Sequence, residues 1–97
     1  MNDISTPAAR DEVSVRSIVR ELVRELSPDY AGEEARSDQK LVDDLHYHSL
    51  ALMELAFTLE DEFGLDPIDE QSVMNIVLVG DVENHVVSEL KRKGLCA

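Results

Sequence analysis

The sequence predicts an all-α protein: a four-helix bundle of three main helices and one short helix, with a long loop between helices 1 and 2. Apolar residues recur at helical spacing in three segments, and no segment shows the alternation of a strand. A chain of 97 residues, 43% of them hydrophobic, suffices for one small domain. We place this domain at residues 11–94, between flexible tails at 1–10 and 95–97.

The first helix is predicted to run from near Asp11 to Leu26. Its apolar stripe, spaced by three and four residues, contains Val15, Ile18, Val19, Leu22 and Leu26. The other side is predicted to be a solvated face, made of Arg16, Arg20 and Arg24 with Glu21 and Glu25. The pair Ser27-Pro28 ends the helix, because a residue before proline disfavours helical geometry.

A long loop is predicted between Pro28 and about His48, where the sequence is polar and lacks periodicity. Four apolar side chains are expected to hold it to the domain: Tyr30, Leu41, Val42 and Leu45. A loop of this length in so small a domain is commonly functional or mobile.

The second helix is predicted from about Ser49 to Phe63, with Gly64 as a left-handed cap. At about 100° per residue it has two apolar sides. The core-facing side contains Leu52, Leu55, Ala56, Leu59 and Phe63. Nearly opposite is an apolar strip of Leu50, Met53 and Phe57, bordered by Glu54, Glu60 and Asp61. An exposed strip rimmed by carboxylates is typical of a docking surface, although the loop at 28–48 could instead cover it.

Two further helices complete the prediction. A short one lies near Glu70 to Asn75, and a last one is opened by Gly80-Asp81. The buried stripe of the last helix contains Val79, Val82, Val86 and Leu90. Lys91 to Lys93 suit the negative C-terminal end of that helix. His85 is expected to be solvated.

The charge is strongly one-sided. The formal net charge is −12, and residues 41–90 contain twelve acidic residues and no Lys or Arg. The negative electrostatic field of this segment repels nucleic acid and anionic lipid and favours encounter with proteins that bear basic patches. Acidity can also serve solubility alone. We therefore expect no nucleic-acid partner.

The single cysteine and the short apolar runs indicate the cellular compartment of the protein. Cys96 has no partner for a disulfide or a thiolate metal site. Purely apolar runs such as Ile76 to Val79 are too short to span a bilayer. These observations predict a soluble, cytoplasmic protein that does not associate with membranes.

Ser49 lies where the long loop meets the second helix. Serine at such a place is most often an N-cap of the helix. It also lies beside the apolar strip and the acidic residues, and a helix N-terminus is a favourable seat for a phosphate. The residues alone leave both interpretations open.

Two stretches around Ser49 resemble the acyl carrier protein family. Residues 41–50 contain an Asp-Leu pair, three further residues, the Ser and a Leu, and residues 54–64 follow as a helix that ends in acidic residues and Phe. The likeness continues through residues 68–70, Ile76, Val79-Gly80-Asp81 and Val86. It covers about residues 13–90 in the family's order.

The resemblance implies a carrier, not an enzyme, whose Ser49 receives 4′-phosphopantetheine covalently from coenzyme A. The thiol of this arm would hold acyl intermediates as thioesters. The implied partner-docking side contains Asp44, Leu50, Met53, Glu54, Phe57, Glu60 and Asp61. The implied partners of this monomer are a phosphopantetheinyl transferase, a ketosynthase, an acyltransferase or acyl-activating ligase, and tailoring enzymes with basic patches.

Two positions depart from the typical acyl carrier pattern. His48 stands directly before Ser49, where Asp is usual, and His46 stands where a Gly is usual. The form His-Ser-Leu is common in peptidyl carrier domains. This combination of acyl carrier and peptidyl carrier features resembles the discrete carriers of secondary metabolism, of the polyketide type. A peptidyl or aminoacyl carrier is the alternative.

Three other functions are each suggested by some feature of the sequence. A hydrolytic site would use Ser49 with His48, His46 or His85 as base and Asp44 as its partner, but no nucleophile-elbow pattern surrounds the serine. A metal site could draw its ligands from Asp43, Asp44, His46 and His48. Two histidines spaced i, i+2 without thiolates are a weak ligand set, so no metal is expected. An acidic helical adaptor without a prosthetic group is the remaining alternative.

Overall fold

Four helices form the part of the chain that the computed structural model describes, residues 11–28 and 35–95. Their bounds are Glu12–Leu26 for α1, Ser49–Phe63 for α2, Glu70–Met74 for α3 and Val79–Arg92 for α4. The predicted class and order of helices are confirmed. Within those ranges no helix is both long and apolar enough to cross a membrane. The N-terminal tail, Tyr30 and Cys96 lie outside the described residues.

The start of α1 is fixed by a side-chain cap. The Asp11 carboxylate accepts a hydrogen bond from the Ser14 backbone N–H at 2.7 Å, which supplies one of the acceptors that the first turn lacks. The same bond holds the pKa of Asp11 below its usual value. Val15 and Val19 of the predicted stripe are fully buried, and its other three residues are partly buried. Val23, which the predicted stripe did not include, is also fully buried.

The core side of α2 is largely as predicted. Its buried residues are Ala51, Leu55, Ala56, Leu59 and Phe63, and Leu52 is half-buried at the edge of the core. Gly64 ends the helix with φ of 65°, so the prediction of a left-handed cap is confirmed. Glycine suits this position because other L-residues rarely adopt such a φ.

α3 and α4 are both started by aspartates. The Asp69 carboxylate accepts from the Ser72 N–H at 2.7 Å, and the Asp81 carboxylate accepts from the N–H groups of Val77 and Leu78 at 3.1 and 2.9 Å. The predicted stripe of α4 is confirmed, since Val79, Val82, Val86 and Leu90 are all buried. Two further residues of α4 are also buried: Glu83 and Val87.

Tyr47 anchors the C-terminal end of the long loop, a role that was not predicted from the sequence. Its ring is 2% exposed, and its hydroxyl donates to the Val23 carbonyl at 2.7 Å. Burial raises the pKa of the Tyr47 phenol. Leu41 and Leu45 also pack into the core or against it, as predicted. The prediction for Val42 is wrong, because this side chain is 54% exposed.

We predict that Tyr47→Phe lowers the free energy of unfolding by about 1 to 2 kcal/mol. The phenylalanine ring keeps the packing, and only the buried hydrogen bond to Val23 is lost. Urea denaturation followed by circular dichroism measures the change. An unaltered midpoint would show that this bond does not anchor the loop.

A buried carboxylate anchors the other end of the described loop. Glu83 is 1% exposed and accepts hydrogen bonds from Arg16 Nη1 at 3.3 Å, Arg20 Nη1 at 3.4 Å and Ser37 Oγ at 2.5 Å. The prediction that Arg16 and Arg20 belong to a solvated face is therefore wrong. These two arginines join α1 to α4, and Ser37 brings the loop to the same carboxylate.

Backbone hydrogen bonds complete this second attachment. The Gly80 N–H donates to the Ser37 carbonyl at 2.8 Å, and a Cβ at Gly80 would lie only 3.1 Å from that oxygen. The Val79 N–H donates to the Gln39 carbonyl at 2.9 Å. The loop segment from Ser37 is thus held against the start of α4, while Tyr47 holds the segment that leads into α2.

Candidate functional site

Ser49 is exposed and is the first residue of α2. The N-cap is not Ser49 but His48, whose extended backbone has φ −125° and ψ 176° and whose Nδ1 accepts from the Ala51 N–H at 3.3 Å. The interpretation of Ser49 as a cap is therefore wrong. Because the imidazole takes the capping role, the serine hydroxyl has no structural task in the described residues and is open to solvent.

The first turn of α2 offers hydrogen-bond donors beside this hydroxyl. A helix begins with four N–H groups that lack partners within the helix. Those of Ala51 and Leu52 donate to His48, to Nδ1 and to the carbonyl oxygen respectively. Those of Ser49 and Leu50 have no acceptor among residues 11–28 and 35–95. Two unpaired amides at the positive end of a helix fit a phosphodiester borne by Ser49.

The loop that leads into Ser49 is internally braced. The Asp44 carboxylate accepts from the Lys40 N–H at 2.7 Å, and the Leu45 carbonyl accepts from Ser27 Oγ at 2.8 Å. His46 adopts φ of 63°, a conformation that a glycine would take without strain. Asp44 is exposed, but its carboxylate closes a turn of the loop, which is a role that the sequence did not indicate.

The apolar strip on α2 is exposed. Leu50, Met53 and Phe57 are 64%, 46% and 59% exposed. The predicted exposure is confirmed, and the described part of the loop does not bury these side chains. The strip begins one residue after Ser49, so a partner that contacts it also reaches the serine.

The acids around the strip fall into two groups. Glu54 and Asp61 are exposed and have no ion-pair partner in the described part of the chain. Glu60 is half-buried, and its Oε2 accepts from the Ile68 N–H at 2.9 Å, so it also holds the segment between α2 and α3. Arg92 and Lys93 bind Asp66 at the far end of the helix and hold the pKa of Asp66 below its usual value. The two free carboxylates beside the strip thus give it an unneutralised negative border.

An apolar crevice lies between α2, α3 and α4. Its cavity volume is only about 20 Å³, which is room for about one water molecule. Its lining includes Leu52, Leu59, Ile68, Val73, Ile76 and His85. The half-buried His85 was predicted to be solvated, which is wrong. The lining is apolar, as in most ligand sites, but the crevice is too small in this structure to hold an acyl chain.

The hydrolytic and metal alternatives gain no support from the geometry. The Nδ1 of His48 accepts from the Ala51 amide and is not bonded to the Ser49 hydroxyl. The Asp44 carboxylate is bonded to the Lys40 backbone N–H. Among residues 11–28 and 35–95, no three His, Cys, Asp or Glu side chains are grouped so that they could hold a metal ion. This holds for the four candidate ligands of the loop, Asp43, Asp44, His46 and His48.

Comparison with known proteins identifies relatives over most of the chain. An acyl carrier protein of Borreliella burgdorferi (strain ZS7) is 37% identical over 86 residues, which are 87% of this chain and 96% of the relative. One of Thermotoga maritima is 33% identical over 85 residues, 86% of this chain and 98% of the relative. A scan against models of protein families finds no match.

Solved structures agree with the fold. A candidate acyl carrier protein from Mycobacterium tuberculosis superposes with a TM-score of 0.59 at 32% identity, over 79% of this chain and 95% of that one. The crystal structure of an acyl carrier protein from Thermotoga maritima gives a TM-score of 0.68 at 20% identity, over 84% and 93% of the two chains, and supports the fold alone. By its relatives and its four helices, the chain belongs to the acyl carrier protein family, whose members are carriers rather than enzymes.

Proposed function

We propose that this chain carries acyl groups on a 4′-phosphopantetheine arm attached to Ser49. The observation that supports it most is the position of that serine: exposed, first in α2, next to two unpaired amides and adjacent to the apolar strip. Membership of the acyl carrier protein family adds to it. The attached arm supplies a thiol that holds the acyl group as a thioester.

The attachment uses few groups of this chain. The Ser49 oxygen forms a bond to the phosphorus of coenzyme A that bears the pantetheine, the bond from that phosphorus to the adenosine-side phosphate breaks, and adenosine bisphosphate leaves. The hydroxyl proton passes to the phosphopantetheinyl transferase. The N–H groups of Ser49 and Leu50 would be available as donors to the new phosphodiester charge. The crevice between α2, α3 and α4 is lined mostly by apolar side chains, and it would have to widen to take the aliphatic part of the cargo.

The partner-docking side of the proposal contains the strip and its border: Asp44, Leu50, Met53, Glu54, Phe57, Glu60 and Asp61. Apolar anchors contribute affinity, and the unpaired carboxylates contribute orientation and on-rate toward a basic patch. The expected partners are the transferase, a ketosynthase, an acyltransferase or acyl-activating ligase, and tailoring enzymes. Brief docking of this kind favours steering by charge over a large apolar interface.

We place the carrier in secondary metabolism of the polyketide type. A peptidyl or aminoacyl carrier is the second candidate, because His48 directly precedes Ser49 and Leu50 follows it. A charging assay separates the two: the modified protein is offered to a malonyl transferase and to an adenylating enzyme with its amino acid. Loading by the malonyl transferase alone supports the polyketide role, and loading by the adenylating enzyme alone supports the peptidyl role.

The attachment itself is tested by intact-protein mass after incubation with coenzyme A, magnesium and a broad-specificity phosphopantetheinyl transferase. We predict a gain of one phosphopantetheine in the wild type and none in Ser49→Ala. Ser17→Ala, at an exposed serine of α1, is the matched control and keeps the gain. A wild type left unmodified by several transferases would favour the adaptor function.

We predict that Glu54→Lys or Asp61→Lys slows reactions with partner enzymes by about ten-fold at low salt, because each replaces an exposed negative charge beside the strip with a positive one. Helix content should hardly change, since both side chains are exposed. Stopped-flow or single-turnover rates with two partners at several salt concentrations measure the effect.

The matched control for these reversals is Glu25→Lys, which changes the net charge equally on the exposed side of α1. This variant should retain most of the wild-type rate. An equal loss in Glu25→Lys and Glu54→Lys would show that total charge, and not the α2 border, determines encounter.

A further inference from the structure

The crevice between α2, α3 and α4 is narrow in this structure. With a volume of about 20 Å³, one of its walls has to move before an aliphatic chain enters. Two of the walls are the helices α2 and α4, of 15 and 14 residues, which are fastened by fully buried side chains such as Leu55 and Val86. A shift of either helix would disrupt the core.

The third wall is easier to move. We call residues 66–76 the α3 wall, because they contain the five-residue helix α3 and line the crevice with Ile68, Val73 and Ile76. These three side chains are half-buried, and no described side chain of the wall is fully buried. Segments with few buried contacts open at the lowest free energy. We therefore expect the crevice to widen by movement of the α3 wall.

Hydrogen bonds within the α3 wall make it a unit. The Asp69 carboxylate accepts from the Ser72 N–H at 2.7 Å, and the Asp69 carbonyl accepts from the Val73 N–H at 3.1 Å. The Ile76 N–H donates to the Val73 carbonyl at 3.1 Å. Both partners of each bond belong to the wall, so the wall can tilt without losing these bonds.

The α3 wall is tied to the rest of the domain near its two ends. Where the chain continues to α4, the Leu41 N–H donates to the Val77 carbonyl at 2.9 Å. Where the chain comes from α2, the Ile68 N–H donates to Glu60 Oε2 at 2.9 Å. Ile68 lines the crevice, so the bond to Glu60 holds a lining residue against α2.

The Glu60 bond is the stronger of the polar ties at the α2 end. A hydrogen bond to a carboxylate is about twice as strong as one between neutral groups. The other tie consists of the ion pairs of Asp66 with Arg92 and Lys93, and the Asp66 side chain is 66% exposed. Ion pairs exposed to this degree contribute little to stability.

We propose that Glu60 is a positioning residue for the cargo: its carboxylate latches the α3 wall to α2, and release of Ile68 widens the crevice so that an acyl chain enters. The inference rests on the proposed function for its cargo. Glu60 acts through Ile68 and does not itself line the crevice. Because Glu60 is half-buried, water can replace Ile68 as its partner, which makes the release reversible.

The latch is tested on the unmodified protein with xenon, which binds in apolar voids. Methyl ¹H–¹³C spectra under xenon pressure report entry into the crevice at Leu59 and Ile76. We expect shift changes several-fold larger in Glu60→Ala than in the wild type, because the open wall is more populated. Glu60→Gln keeps an oxygen acceptor without the charge and should give intermediate changes. Equal changes in Glu60→Ala and the wild type would overturn the latch.

Two controls distinguish the latch from a general loosening of the domain. Glu54→Ala removes an exposed glutamate of the same helix and should match the wild type. The methyl groups of Val19, which is buried away from the crevice, should not respond to xenon in any variant. Changes at Val19 as large as those at Ile76 would overturn the proposal, because the whole core would then have loosened.

The effect on cargo is tested on protein whose arm is loaded with an octanoyl group, which a broad-specificity transferase transfers from octanoyl-coenzyme A. The ratio of inserted to excluded chain is measured from the methyl shifts of Leu59 and Ile76 relative to protein with an unacylated arm. We expect this ratio to rise about ten-fold in Glu60→Ala, the effect of losing one hydrogen bond to a charged group, and less in Glu60→Gln. An unchanged or lower ratio in Glu60→Ala would overturn the proposal.

The outcomes separate this inference from the proposed function. If Ser49 is modified but Glu60→Ala changes neither xenon entry nor chain insertion, the latch is overturned and the carrier function stands. If the wild type receives no phosphopantetheine from any transferase, the function is overturned. The xenon data on the unmodified protein then still decide whether Glu60 holds the α3 wall.

Discussion

Glu83→Ala is expected to lower the free energy of unfolding by about 2 to 4 kcal/mol, among the largest effects of any single substitution in this domain. The carboxylate is 1% exposed and accepts from Arg16, Arg20 and Ser37. Its removal leaves two guanidinium groups and a hydroxyl without their shared acceptor. The arginine side chains remain 28% and 35% exposed, so water relieves part of the cost and keeps it below that of a fully buried pair.

Urea denaturation of Glu83→Ala and Glu83→Gln measures this contribution. The glutamine keeps the shape and an acceptor for Ser37 but loses the charge, so its loss should be smaller. Glu62→Gln, at an exposed glutamate of α2, is the control and should change stability by less than about 0.5 kcal/mol. A Glu83→Ala midpoint equal to that of the wild type would mean that this cluster does not hold α1, α4 and the loop together.

Leu59→Ala is the second large effect, at about 2 to 5 kcal/mol of unfolding free energy. Leu59 is 2% exposed in the core between α2 and its neighbours and also lines the crevice. The truncation removes buried methyl groups and enlarges an empty volume that the short helix α3 cannot fully close.

Leu50→Ala provides the matched comparison, because the same atoms are removed from a side chain that is 64% exposed. Its stability should change by less than about 0.5 kcal/mol. Equal losses for the two variants, by thermal or urea unfolding, would contradict the assignment of one side of α2 to the core and the other to solvent.

The helices could be predicted from the sequence because each is indicated by residues that lie close together in the chain. The Asp11 cap, the apolar periodicity of α1 and the Gly64 stop of α2 are signals within a few residues. The two apolar sides of α2 follow from helical spacing alone, which explains why the exposure of Leu50, Met53 and Phe57 was correctly predicted.

The loop contacts were not predictable in the same way, because they join residues far apart in the chain. Tyr47 lies in a segment without periodicity, and nothing local indicates that its hydroxyl reaches Val23. The burial of Glu83 was weakly indicated by the sequence, because this residue falls in the same helical register as Val79 and Val86 on the buried stripe of α4. A charged residue on such a stripe, together with arginines at i, i+4 on α1, indicates a buried ion pair.

The start of α2 shows how one residue changes the interpretation of the site. Frequency of occurrence favours serine over histidine as a cap, so Ser49 was the expected capping residue. The extended backbone at His48 and the bond from its Nδ1 place the helix start one position earlier. That shift frees the hydroxyl, and so it strengthens the case for Ser49 as an attachment point.

The most direct measurement is the intact mass of the protein purified from the cells that naturally produce it, followed by fragmentation of the peptide that contains Ser49. We predict a fraction of the chain with one phosphopantetheine, free or acylated, localised to Ser49. A chain recovered without any such modification, from cells in which other carrier proteins are modified, would contradict attachment at this serine.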